Sequence, residues 1–332
     1  MALIEVKNLS KTFKKPIRGN GILSMIKTLF SRKYENIEAV KDISFSIEQG
    51  EIVGYIGANG AGKSTTIKMM CGILFPTNGE VIIDQKSVLK YRKEINQEIG
   101  VVFGQKTQLW WDIPLIETFK ILKSIYSVSD EDYEERFNYL CDLLDLRSFM
   151  NQNVRSLSLG QRMRADFAAS LIHNPKILYL DEPTIGLDVL VKDKIRKAIK
   201  ELNHHYNTTV ILTTHDMKDI EELCNRIIII DKGSILYDGN LEDIKFKFGN
   251  IKNIVFPRFE DFDESKIKEF SSAINIEVDE SVRLSFSLNE VDIDALLLLL
   301  ISEYKISDFK IFDIGIEDIT KELYAKNEEV KK

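Results

Sequence analysis

Cysteine is scarce in this chain of 332 residues: Cys71, Cys141 and Cys224 are widely spaced, odd in number and form no CxxC pair. That pattern suggests neither a disulfide framework nor a thiolate zinc site, and it suits a reducing compartment. Proline is equally sparse, at six residues, and no repeat or low-complexity tract occurs, so the fibrous, solenoid and disordered classes fall away. Positive charge is in deficit, with a net charge of −7, which leaves no global basic field for a nucleic acid. Long hydrophobic runs are missing too. The longest leucine-rich run, ALLLLLI at 295–301, is far short of a bilayer span, and the opening MALIEVKNLSKTF reads as strand and turn rather than as the apolar core of a signal peptide. A membrane, if one matters, is met from outside.

What is present is 44% hydrophobic and 29% charged, the profile of a folded globular protein, and the length favours two domains. Apolar runs alternate with amphipathic helical patterns, as expected of a parallel sheet wrapped by helices. EIVGYIG (51–57), KILYLDE (176–182) and TTVILTTH (208–215) read as buried strands, and RIIIIDKGSILYDG (226–239) as two strands turning at Lys232-Gly233. Beyond about residue 245 the character changes, with short strands near 251–256, 282–288 and 306–313 between helices. The expected architecture is α/β, with domains at 1–245 and 246–332.

The sharpest local pattern is GANGAGKST, residues 57–65, which fits GxxxxGK[ST] between a strand and a helix. Gly57, Gly60 and Gly62 let the backbone around Asn59 wrap tightly, so its N–H groups and the positive end of the following helix can surround a polyphosphate. Lys63 would reach the β- and γ-phosphates, Ser64 would ligate Mg²⁺, and Thr65 completes the motif. ILYLDEP (177–183) delivers Asp181 and Glu182 to the carboxyl end of a central strand, where ligands of open α/β sheets bind. One carboxylate can hold the metal while its neighbour polarises an attacking water. His215, at the end of another buried strand, has the place of a γ-phosphate sensor.

Between these motifs lies SLSLGQRMRADFAASL (156–171). It resembles the LSGGQ signature and helix of the ATP-binding cassette ATPases, and the resemblance covers residues 2–240 with the motifs in family order. It implies a P-loop NTPase (RecA-like) core with an antiparallel β subdomain and a helical signature subdomain at about 105–165; beyond it, periodicity alone reads the tail as a small C-terminal α/β domain. The resemblance also implies ATP hydrolysis with Mg²⁺ by two copies packed head to tail, Ser158, Gly160 and Gln161 closing on the nucleotide held by the opposite copy. Leu159 departs from the pattern, where glycine is expected. Asp188, in TIGLD, looks like the aspartate of the D-loop crossing the dimer interface. Phe13 looks like the aromatic that stacks on adenine, with Tyr34 as its rival. Gln105 would touch the metal and the attacking water.

The two tryptophans, Trp110 and Trp111, follow that glutamine. By the same resemblance this segment receives a cytoplasmic helix of a membrane-embedded permease, and aromatic anchors suit such a patch. Packing inside the helical subdomain is the alternative. An insertion at 14–36 contains KKPIRGNGILSMIKTLFSRKY (14–34), basic and without an acidic residue; Ile22, Met25, Ile26, Leu29 and Phe30 share a helical face. It reads equally as a helix for an anionic membrane surface or permease and as a cover for the edge of the antiparallel subdomain. The insertion, the QLWWD segment, the signature and the tail ISDFKIFDIGIEDITKELYAKN together resemble bacterial ATPases of ABC-2 type exporters. That implies a peripheral protein on the cytoplasmic face of the cell membrane, working with separate permeases. A soluble cassette ATPase acting on ribosomes or DNA is the alternative, against which stand the single cassette and the absence of a long coiled-coil insertion. A phosphate-loop kinase would lack the signature.

Overall fold

The computed structural model describes residues 2–16, 34–104, 106–248, 250–259 and 262–330, in two compact units, Met1–Gly239 and Asn240–Lys332. The division falls ahead of the expected 245/246 boundary, because the helix Leu241–Lys247 leads through a turn, Ile251 N–H to Phe248 carbonyl at 2.9 Å, into the first strand of the second unit.

In the first unit the strands are β1 (Ala2–Pro16), β2 (Tyr34–Glu48), β3 (Ile52–Gly57), β4 (Asn78–Ile83), β5 (Lys86–Ser87), β6 (Ile99–Phe103), β7 (Ile177–Asp181), β8 (Thr209–Thr213), β9 (Arg226–Asp231) and β10 (Ser234–Asn240). The helices are α1 (Lys63–Met70), α2 (Arg92–Ile95), α3 (Leu115–Ile125), α4 (Asp130–Leu143), α5 (Leu159–Ala169), α6 (Val189–Tyr206) and α7 (Met217–Leu223). A six-stranded sheet runs β10-β9-β3-β8-β7-β6, parallel from β9 to β6. Its central strands are apolar without alternation, as a sheet covered on both faces requires: all five residues of β8 are buried. β10 returns beside β9 through Lys232 and Gly233, both at positive φ, as read from the sequence.

A second, antiparallel sheet runs β2-β1-β4-β5. Its Ile4, Val6, Val40 and Ile47 share one core with Tyr55 of β3 and with Ile67 and Met69 of α1. Packing of this kind stabilises by roughly 1.5–3 kcal/mol per fully buried large side chain, and it fixes the start of α1 over the parallel sheet. The outer ends of the 14–36 insertion are strand: Lys14, Lys15 and Pro16 pair with Asn36, Glu35 and Tyr34. The helix expected around Ile22–Phe30 lies outside the described residues. Helices α3 to α5 fill the stretch between β6 and β7; Phe119 meets Phe137 edge-on at 5.4 Å, and Ser129 caps α4 by accepting from Asp132 N–H at 3.1 Å.

The second unit has α8 (Leu241–Lys247), β11 (Ile251–Pro257), α9 (Ser265–Phe270), β12 (Asn275–Val278), β13 (Ser281–Ser287), α10 (Ile293–Ser302), β14 (Lys310–Asp313) and α11 (Ile316–Val330). Its antiparallel sheet is ordered β12-β13-β11-β14, a ferredoxin-like split β-α-β arrangement. The leucine run forms α10, which buries Leu296 and Leu300 against Ile254, Phe256 and Leu284. Among the described residues no helix is long and apolar enough to cross a membrane.

Candidate nucleotide site

The phosphate loop joins β3 to α1 by backbone geometry that side chains would obstruct. Gly62 sits at φ +112, and a Cβ there would lie 2.5 Å from the Ala39 carbonyl oxygen; at Gly57 a Cβ would lie 2.4 Å from that of Ile230. Asn59 and Gly60 form the exposed tip. Gly62 is the N-cap of α1, so Lys63, Ser64 and Thr65 occupy its first turn, where unpaired N–H groups and the helix dipole favour an anion. Lys63 lies across the loop and donates from Nζ to the carbonyls of Gly57 at 2.7 Å and Ala58 at 3.3 Å. Burial pulls its pKa below the ordinary value, against the opposing charges of Glu182 and Asp181.

The strand ends meet the loop through one carboxylate. Ser64 Oγ donates to Asp181 Oδ1 at 3.2 Å, and Thr213 Oγ1, at the end of β8, donates to the same oxygen at 2.6 Å. A hydroxyl and a carboxylate are hard oxygen donors, and Mg²⁺ is commonly held by one or two such groups together with substrate phosphates, so the set fits that ion. Glu182 stands at φ +56, a conformation that costs a non-glycine residue free energy and clusters at functional sites. Its N–H is shared between the Thr213 carbonyl at 2.9 Å and Thr213 Oγ1 at 3.2 Å. Its carboxylate Oε1 lies 2.8 Å from His215 Nε2. Thr213 was not anticipated among the site residues; the only signal was a hydroxyl ending a strand whose middle is apolar.

A cavity of about 380 Å³ is lined by Ser64, Lys68, Phe103, Lys106, Asp181 and Glu182, and another of about 200 Å³ by Glu182, Lys192 and His215. Phe103 and Lys106 bracket Gln105, which lies outside the described residues. A larger cavity, about 660 Å³, lies between Tyr126, His173 and Tyr206; it contains no phosphate-loop residue and is not the site of this chemistry.

The signature segment forms the start of α5. Ser158 is its N-cap in a full capping box: Ser158 Oγ accepts from Gln161 N–H at 3.2 Å, and Gln161 Oε1 accepts from Ser158 N–H at 2.9 Å. Leu159 takes the first helical position, where an L side chain is unstrained, and leans to within 3.4 Å of where a Cβ on Gly186 would be. Asp188 caps α6, accepting from Val191 N–H at 3.0 Å. Among the described residues no hydrogen bond or ion pair ties Ser158, Gly160, Gln161, Asp188 or Phe13 to the phosphate loop, Asp181 or Glu182. The structure thus joins Ser64, Asp181, Glu182 and His215 through Thr213 into one chain of contacts, holds Lys63 across the loop by its carbonyl bonds, and leaves the others apart. Phe13 is 39% exposed beneath Lys11, whose Nζ is 5.3 Å from its ring centre; Tyr34 is 53% exposed.

A family profile described as "ABC transporter" matches residues 40–185. The ATP-binding protein NatA of Bacillus subtilis is 34% identical over 215 residues, covering 65% of this chain and 87% of NatA. The chain belongs to the ATP-binding cassette family of transporter ATPases. As such it binds and hydrolyses ATP. The cassette is similar at 34% identity to the methionine import protein MetN 2 of Enterococcus faecalis, with 67% of this chain and 65% of that one matched. It is 32% identical to the probable multidrug transporter protein YbhF of Escherichia coli, with 66% of this chain and 38% of YbhF matched. Among solved structures, the cassette MJ0796, dimeric in a post-hydrolysis state with ADP and Pi, aligns with TM-score 0.60 and 29% identity over 72% of this chain and 98% of that one.

In this cassette the segment after β6 is bonded to the signature helix. Gln108 N–H donates to Asp166 Oδ1 and Gln108 Nε2 to the Asp166 carbonyl, both at 3.2 Å. Burial raises the Asp166 carboxyl to about 6. Trp110 and Trp111 are 40% and 48% exposed, whereas the preceding Leu109 is 3% exposed. The three thiols are buried, and burial raises each pKa.

Proposed function

We propose that two copies of this chain close around two ATP molecules, each completing its neighbour's site, and that the cycle drives bacterial ABC-2 type export through separate permease subunits. The observation that carries the hydrolytic reading is the 2.8 Å contact between Glu182 Oε1 and His215 Nε2, beside the Ser64–Asp181 pair. In this reading the loop N–H groups and Lys63 bind the polyphosphate. Ser64, Asp181 and Gln105 hold Mg²⁺, which supplies charge neutralisation of the phosphates when bound. Glu182 accepts the proton of the attacking water, while His215 and Gln105 hold the γ-phosphate end in register.

Ser158, Gly160 and Gln161 contact the nucleotide of the opposite copy, Asp188 lies at the seam, and Phe13 or Tyr34 stacks on adenine. The exposed Leu159, Ile185, Val189 and Leu190 are apolar surface that such a partner would cover. The dimeric MJ0796 cassette supports this arrangement. Trp110 and Trp111 anchor the permease at the cytoplasmic face of the cell membrane. The tail and the likeness to YbhF favour export; the likeness to MetN 2 makes direction the finest part of the reading. Replacement Glu182→Gln is expected to lower turnover roughly 10²–10⁴-fold while ATP still binds; near-normal hydrolysis would refute the assignment. Co-purification of the native complex, followed by transport in vesicles of known orientation, tests permease and direction.

A further inference from the structure

Resting on the assignment of Glu182 and His215 to hydrolysis, we propose that Asp219 is a positioning residue that locks the Glu182–Asp188 loop and the His215 loop to helix α6, so that the two loops move as one.

Asp219 is wholly buried in the first turn of α7. Its Oδ2 accepts from Thr184 Oγ1 at 2.6 Å and from Thr214 Oγ1 at 3.0 Å, and its Oδ1 accepts from Arg196 Nε at 2.6 Å. The three donors come from three segments. Thr184 stands between Glu182 and Asp188, Thr214 immediately precedes His215, and Arg196 belongs to α6, the helix that Asp188 caps. Arg196 is itself 3% exposed, and its NH1 also donates to Asp193 at 2.7 Å. On the far side of His215, Asp216 accepts from Lys192 Nζ of α6 at 2.6 Å and donates its N–H to Thr214 Oγ1 at 3.0 Å. His215 is therefore held on both flanks while its ring, 44% exposed, reaches Glu182.

A buried carboxylate satisfied by three directional donors resists displacement of any one of them, because each lost bond leaves a polar group unpaired away from water. Pressure on the exposed Ile185–Asp188 loop from a closing partner would therefore move His215 with it and preserve the Glu182–His215 geometry. Among the described residues no hydrogen bond or ion pair ties Asp219, Thr184, Thr214 or Arg196 to the phosphate loop, so ATP binding is expected to depend on them less than turnover does.

Steady-state ATP hydrolysis by the full chain tests this. Thr184→Val keeps shape and removes the hydroxyl; kcat is expected to fall roughly 10- to 100-fold, as small misplacements of catalytic groups do, with KM for ATP within about twofold. Thr184→Ser should restore kcat. The paired change Arg196→Met with Asp219→Leu removes both charges together, avoiding an orphaned one, and should lower kcat alike in a protein whose circular dichroism is native. Wild-type kcat in both Thr184→Val and the paired variant, or a raised KM with kcat unchanged, would overturn the proposal. Glu182→Gln in the same assay separates the readings: if it retains turnover the hydrolytic assignment fails, and if it loses turnover the Thr184 and Asp219 results bear on positioning alone.

Discussion

Arg162, on the signature helix, holds its guanidinium carbon 4.9 Å from the centre of the Trp111 ring. Four residues further along the same helix, Asp166 bonds Gln108, so the segment after β6 is fastened to α5 at two points. The Trp111 carbonyl also accepts from Arg155 N–H at 3.0 Å. A load applied at the tryptophans thus has a short bonded route to the capped end of α5, where Ser158 and Gly160 lie.

That route makes Trp111 a testable anchor. Because both tryptophans are near half-exposed, truncating Trp111→Ala removes little core, and stability should change by less than about 1 kcal/mol. Retention of the chain by native membrane subunits should nonetheless drop strongly. The checks are a pull-down from solubilised membranes and a denaturant midpoint. Undiminished retention would leave the tryptophans as local packing.

Ser158 combines two roles that substitution can separate. As an N-cap, Ser158→Ala should cost about 1 kcal/mol, whereas Ser158→Asn, an equally good cap, should cost almost nothing. If the hydroxyl also meets the opposite nucleotide, hydrolysis falls in both variants. An Asn variant that is stable and fully active would reduce Ser158 to a cap.

Much of the site could be read from the chain because its demands are local. GANGAGKST spells backbone conformations that only glycine adopts easily, and ILYLDE states both strand and strand end. The residues that brace the site were harder to see. Thr213 and Asp219 act through partners far away in sequence, such as Asp181 and Thr184, and a threonine at the end of a strand or an aspartate in a helix carries no pattern of its own. The edge strand β12, NIEV, was missed because it is short and half-exposed. The domain division fell early because α8 continues the helical character of the first domain while its chain turns into the second unit.

The two positive-φ glycines of the loop should differ in their tolerance. Gly60 stands at φ +80 with nothing within 4 Å of a built Cβ, whereas Gly62 at φ +112 faces the Ala39 carbonyl at 2.5 Å. Gly60→Ala should cost about 1–2 kcal/mol from backbone conformation alone. Gly62→Ala should cost more and displace the start of α1. Midpoints of unfolding and binding of a fluorescent ATP analogue would show the order; equal effects would contradict the packing argument.

Acid stability should reflect two opposed buried groups. Burial raises Asp166 from its ordinary 3.8 to about 6, so its contribution is fully present below pH 3.8 and is lost as pH rises through about 6. His173, stacked on Tyr126 at 3.8 Å with Nε2 donating to the Ile99 carbonyl at 3.0 Å, is lowered by burial from 6.5 to about 4. Its contribution is fully present above pH 6.5 and is lost as pH falls through about 4. Each amounts to about 3 kcal/mol, with opposite sign, so between pH 4 and 6 they nearly cancel. Asp166→Asn should therefore steepen the loss of stability on acidification relative to the unmodified chain, and His173→Gln should flatten or reverse it. Urea unfolding followed by tryptophan fluorescence reads the first unit, which holds both Trp110 and Trp111. Parallel pH profiles for the two variants would show that neither group changes its pKa on folding.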